Sequence, residues 1–129
     1  AEKPAASAAS QPAAASGAGN AANGQKLFAQ ALLSGNAGCS ACHSLEPDKI
    51  LVGPSMAGIA SRAGSTAPGE SAEQYIRNSI IDPNAFLTKG CNAADPAAQC
   101  AAGLMPQDWQ QKLTPEQLDD LVAYLLTLQ

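Results

Sequence analysis

Cys39-Ser40-Ala41-Cys42-His43 is the stretch on which the reading of this chain turns. Two cysteines separated by two residues and followed at once by histidine form the pattern through which haem c is attached covalently. In that chemistry the thiols become thioethers at the porphyrin edge, and the adjacent imidazole reaches the iron from the same turn. Two other chemistries use similar residues. A redox dithiol expects a preceding strand in a βαβ setting, whereas residues 23–33 have helical spacing and end in Ser34-Gly35. A structural zinc site would need Cys91 and Cys100 to complete four thiolates with Cys39 and Cys42, and the second pair is too widely spaced for a knuckle. Haem attachment is the favoured reading of the three.

A haem iron in an electron carrier takes two strong protein ligands, and His43 is the single histidine of the chain. Ligation by two histidines of one chain is therefore excluded. The thioether of methionine is the common alternative, and it raises the reduction potential relative to a second imidazole. Met56 and Met105 are the two methionines. Met56 lies 13 residues beyond His43 in Gly53-Pro54-Ser55-Met56, where a turn leads toward a short helix, and reads as a core methionine beside the porphyrin. Met105 lies 62 residues beyond His43 in Gly103-Leu104-Met105-Pro106, between a loop and the last helix. That placement suits approach from the opposite face.

In this order, Asn23-Gly24-Gln25-Lys26-Leu27-Phe28, the Cys39–His43 motif, Val52-Gly53-Pro54-Ser55-Met56-Ala57-Gly58-Ile59, Gly103-Leu104-Met105-Pro106 and Leu121-Val122-Ala123-Tyr124-Leu125 resemble a monohaem class I cytochrome c. The resemblance covers residues 23–129. It implies that Cys39 and Cys42 bind the haem, that His43 is the proximal ligand and that Met105 is the distal one. It implies further that the Pro54 carbonyl accepts the Nδ1 proton of His43, which fixes the tautomer and orients the ring. Gly24 and Phe28 match the face of the first helix that crosses the last, where Tyr124 takes the aromatic position. Glycine permits close backbone approach there, and the rings fill the remaining space. Arg62 follows Gly58-Ile59-Ala60-Ser61, where related proteins often place an arginine near a haem propionate; a plain surface arginine is the alternative. Trp109 has three available roles: covering the haem edge, donating its indole proton to a propionate, or packing.

Residues 89–103 depart from the simplest members of that family. They form an insertion just before the methionine loop and carry Cys91 and Cys100, neither followed by histidine, so a second haem c is not expected. A local disulfide is the economical reading, because haem c maturation places a protein in an oxidising compartment. Such a short bridge contributes on the order of 2 to 3 kcal/mol by loop entropy. Two free structural thiols are the other reading.

Composition separates a tail from one domain. Residues 1–22 contain eleven alanines with Ser, Pro and Gly but no aromatic residue, so they have nothing with which to build a core. Pro4, Pro12, Gly17 and Gly19 interrupt any alanine helix, and the segment reads as a mobile linker or tether. The domain, 23–129, is small but feasible, since haem supplies a large apolar wall. No hydrophobic run is long enough to span a membrane, and no amino-terminal hydrophobic signal region is evident, so the chain reads as mature or trimmed.

Periodicity and punctuation predict an all-α fold. Asn23 is the expected cap of a first helix with Leu27, Phe28, Ala31 and Leu32 on one face, ended by Gly35. A second helix runs from about Ser71, with Gln74 completing a capping box, to Ile81 before Asp82-Pro83. In the last helix Thr114 caps, Pro115 fits the first turn, Gln117 completes the box, and Leu118, Leu121, Val122 and Leu125 align.

From Asn23 onward there are six Lys or Arg and ten Asp or Glu, so the domain carries the whole formal charge of −4. That balance argues against a nucleic-acid binder. It also differs from the lysine-ringed cytochromes that dock on acidic partners, which leaves docking to an apolar haem rim. Two function classes follow. The leading one is a one-electron carrier between extracytoplasmic redox partners, either periplasmic and free or tethered to a respiratory complex. The other is a haem enzyme or gas-binding protein, which needs an open distal site and a polar group to activate the ligand.

Overall fold

Asn20 has extended backbone dihedrals, and its Oδ1 accepts the Asn23 N–H at 3.0 Å, so helix α1, Ala21–Ala29, begins there. Asn23, the cap expected from the sequence, is instead the donor within the first turn. The structure, a computed structural model, describes residues 19–129. Most of the expected tail, residues 1–18, lies outside the described residues. Its last four positions, 19–22, belong to the approach and first turn of α1.

The same helix also ends earlier than its apolar spacing suggests. Leu32–Leu33 (β1) pairs antiparallel with Asn36–Ala37 (β2) across Ser34-Gly35. Both loop residues have positive φ, 52° and 89°, as a two-residue hairpin turn of the primed kind requires. Leu32 consequently faces solvent at 72% exposure rather than the core. These two-residue strands are the only named strands among the described residues, and the fold is otherwise helical.

Helix α2, Cys39–Cys42, is a single turn, and α3, Ile59–Arg62, runs into a tighter turn at Ala63–Ser65. Helix α4, Ala72–Ile81, carries the reciprocal Ser71–Gln74 box and stops before Asp82-Pro83. After the short α5, Trp109–Lys112, comes α6, Pro115–Leu125, with the Thr114–Gln117 box and proline in its first turn. Both boxes satisfy amide groups that a helix start leaves without intrahelical partners.

The core centres on the crossing of α1 and α6. A Cβ on Gly24 would lie 1.9 Å from the Asp120 carbonyl oxygen, so the two backbones approach closely there. One turn on, the Phe28 and Tyr124 rings meet with centroids 5.7 Å apart and planes tilted by 59°. Leu121 and Val122 are fully buried, and Tyr75, Ile76 and Ile80 supply the covered face of α4. Arg77 joins α4 to α6: its guanidinium donates to Glu73 at 2.8 Å and reaches Asp119 at 2.9 Å. The buried Glu73 carboxylate is thereby paired, which burial of a charge demands.

Candidate haem site

Gly38 brings the hairpin to the cysteine motif. Its N–H donates to Ala31 at 2.8 Å, and a Cβ would stand 1.8 Å from the Gln30 carbonyl oxygen. In the turn that follows, Cys39 and Cys42 are three positions apart and share one helix face. Both thiols are free, and both line a largely apolar cavity with His43. His43 leaves the helix in an extended conformation, its N–H still held by the Cys39 carbonyl at 2.9 Å.

The ring of His43 is fixed from two directions. Its Nδ1 lies 2.8 Å from the Pro54 carbonyl oxygen, which has no proton to give, so Nδ1 carries the proton and donates. Nε2 is then the unprotonated nitrogen. Gly53 packs against the ring so closely that a Cβ would fall 2.5 Å from Cε1. Burial lowers the pKa of His43 below its ordinary value, and the bond to Pro54 opposes that effect in part. A neutral imidazole with a free Nε2 is the form that binds a metal.

Burial pushes the Cys39 thiol up to about 11, its own backbone hydrogen bond lowers it, and the neighbouring Cys42 adds to the rise. Disulfide exchange wants a thiol shifted the opposite way. The zinc alternative also loses two of its four thiolates, since Cys91 and Cys100 are joined as a disulfide. No group of three or more His, Cys, Asp or Glu suited to a metal ion occurs among the described residues. The donor set that remains, two free thiols and one oriented imidazole on an apolar cavity, fits a covalently held haem.

Pro54 is itself held in place. The Met56 N–H donates to Ser44 at 2.8 Å, and the Ser44 hydroxyl donates to Lys49 at 2.6 Å. Arg62 donates from Nη1 to Ala57 and from Nη2 to Ser55, each at 2.6 Å, while it also borders the cavity. The exposed guanidinium thus clamps the loop that carries Pro54, the residue that orients His43. Sequence reasoning missed the clamp. Its one local signal is Gly58, at φ 73°, which turns the chain back so that Arg62 reaches two carbonyls already passed.

Met56 and Met105 both border the cavity. Met56 is buried at 9% exposure, two residues beyond the proline that holds His43. Met105 is half-buried in a loop whose Gly103 N–H is held by Asn84 Oδ1 at 2.9 Å. Trp109, at 3% exposure, packs in the core and also lines the cavity. Asn84 is a further cavity residue that the sequence did not single out.

Comparison with known proteins agrees with this site. The sequence model of the Cytochrome c family matches residues 21–129. A cytochrome c2 of Rhodopseudomonas palustris is 35% identical over 125 residues, covering 84% of this chain and 98% of that protein. A cytochrome c2 iso-2 of Rhodospirillum centenum is 32% identical over 128 residues, covering 83% and 93%. One from Magnetospirillum molischianum, also a cytochrome c2 iso-2, is 32% identical over 91 residues, covering 70% and 90%. With the Cys39–His43 motif on the cavity wall and a family match running from the first helix to the last residue, the chain belongs to the cytochrome c family, whose members carry one covalent haem c and transfer electrons rather than transform a substrate.

Proposed function

We propose that the chain is a one-electron carrier in which Cys39 and Cys42 hold the haem through thioethers, His43 Nε2 is the proximal ligand and Met105 Sδ the distal one. The observation that carries this reading is the His43–Pro54 bond, which leaves Nε2 free in an orientation set by the Gly53 and Arg62 contacts. When bound, the haem supplies an iron centre that takes up and gives back a single electron. The protein's part is to hold the ligands in one geometry for both oxidation states and to keep water from the iron. Met56 lies on the loop that holds His43, which leaves Met105 for the opposite face. The absence of a second histidine deprives a substrate-activating reading of its natural acid or base.

Its partners are a donor and an acceptor redox protein outside the cytoplasm, in the bacterial periplasm. The relatives named cytochrome c2 support a carrier of this kind. No helix of the described residues is long and apolar enough to cross a membrane. The alanine-rich segment before Gly19 acts as a tether or linker to a membrane respiratory complex and takes no part in the haem chemistry. Removing residues 1–18 is expected to leave the visible spectrum and midpoint potential unchanged while slowing delivery to a membrane-bound partner. A large shift in potential would place that segment in the haem site.

Two measurements on the holoprotein test the reading. Acidified organic solvent should leave the haem on the denatured chain, and electron paramagnetic resonance of the ferric form should show six-coordinate low-spin iron. Complete extraction of haem would remove the thioether assignment. High-spin iron with rapid binding of small ligands would point to an open distal site.

A further inference from the structure

The insertion at 89–103 connects the supports of both proposed ligands. At its start, Gly90 has φ 97°, and a Cβ there would lie 3.1 Å from the Pro54 Cβ. Pro54 is the residue whose carbonyl holds His43. At its end, Gly103 is anchored on Asn84, two residues before Met105. In between, Cys91 and Cys100 are cross-linked, the Cys100 N–H donates to Thr88 at 2.7 Å, and Lys89 bridges Gln99. Cys91, Cys100, Ala101 and Leu104 border the same cavity as Met105.

Met105 itself packs half-buried against the core, but the segment leading to it has little other restraint than this strap. Residues 101–104 are exposed and lie outside any helix or strand. A segment with little burial and few hydrogen bonds opens at low cost. A covalent closure just upstream reduces the conformations open to it. His43, by contrast, has supports that do not pass through the insertion: the Arg62 contacts to Ser55 and Ala57, and the Met56 contact to Ser44.

We propose that the Cys91–Cys100 disulfide is a positioning element for the distal ligand, keeping Met105 at the iron, and that its cleavage frees Met105 while His43 stays bound. The inference rests on Met105 being that ligand. Cleavage needs a dithiol reductant: its two thiols give up two electrons and two protons and close to a disulfide, and Cys91 and Cys100 become thiols.

The test compares ferrous holoprotein reduced with ascorbate, which reduces the iron and spares the disulfide, against the same protein treated with dithiothreitol. Carbon monoxide, which competes with the methionine, is titrated into both, and mass analysis after alkylation confirms the state of the cysteines. Binding about tenfold tighter after dithiol treatment is expected, the equivalent of one unit on a logarithmic scale. The Cys91→Ala/Cys100→Ala double variant should show the same gain and should lose its sulfur-to-iron absorption at a lower pH than the parent. Equal carbon monoxide affinity with the disulfide demonstrably cleaved would overturn the inference. Met105→Ala keeps the two ideas apart: if that variant retains the absorption, the ligand assignment fails, whatever the disulfide does.

Discussion

Replacing Met105 with alanine is expected to abolish the weak sulfur-to-iron absorption at the red end of the ferric spectrum and to lower the midpoint potential, while Met56→Leu leaves both in place. The thioether is a soft ligand that favours the ferrous state, and a water or hydroxide in its place favours the ferric state. Axial ligation spans roughly 0.8 V across haem proteins, so the fall should stand well clear of measurement error. Met56→Leu removes a sulfur but nearly conserves volume, a change that costs less than about 1.5 kcal/mol in a packed site. Met56 sits on the loop that carries Pro54, its N–H held by the Ser44 carbonyl and its neighbours by the Arg62 clamp. The opposite outcome, with the absorption lost from Met56→Leu and retained by Met105→Ala, would reverse the assignment.

Gly24→Ala is expected to produce a large loss of stability from a single added methyl group. Its Cβ would lie 1.9 Å from the Asp120 oxygen, 2.6 Å from that residue's carbonyl carbon and 2.7 Å from the Tyr124 Cβ. Two of those three are backbone atoms of α6, so no side chain can rotate away and the helices must separate. Alanine gains up to about 1 kcal/mol over glycine in helix propensity. Overpacking costs about 1 to 3 kcal/mol even where side chains can adjust, and here they cannot. A net loss of about 2 kcal/mol should lower the thermal midpoint by roughly 10 °C in a domain of this size. Gln25→Ala, on the exposed side of the same helix, serves as the control and should change little. An unchanged midpoint for Gly24→Ala would show that the crossing has slack.

The elements that were legible from sequence are those whose ends are written locally. Ser71 with Gln74, and Thr114 with Gln117, each specify a helix start within four residues, and Asp82-Pro83 specifies a stop. At the first helix, two asparagines compete for the cap, and the choice of Asn20 depends on contacts with α6 a hundred positions away. The hairpin was hidden because Leu32 and Leu33 continue a helical stripe, and Ser34-Gly35 serves equally as a helix end or as a two-residue turn. The cavity follows the same division. Cys39, Cys42 and His43 are brought together by one turn of backbone, so spacing alone gathers them. The contact of Gly90 with Pro54 requires the chain to return on itself, and no short pattern records that.

The entry of the chain into its folded body has a mechanical consequence. The Asn20 N–H is bound to Asp120 Oδ1 at 2.7 Å, and Gly19 lies against the Asp119 backbone, where a Cβ would meet the carbonyl oxygen at 2.0 Å. A pull on the amino-terminal segment therefore loads α6 at Asp119 and Asp120 first. Asp119 passes part of that load through Arg77 to Glu73 on α4, so two helices share it. The loops that orient His43 and carry Met105 lie off this path. A pull on the amino-terminal end is thus taken up by backbone and ion-pair contacts on α6 and α4 before it reaches the loops of His43 and Met105.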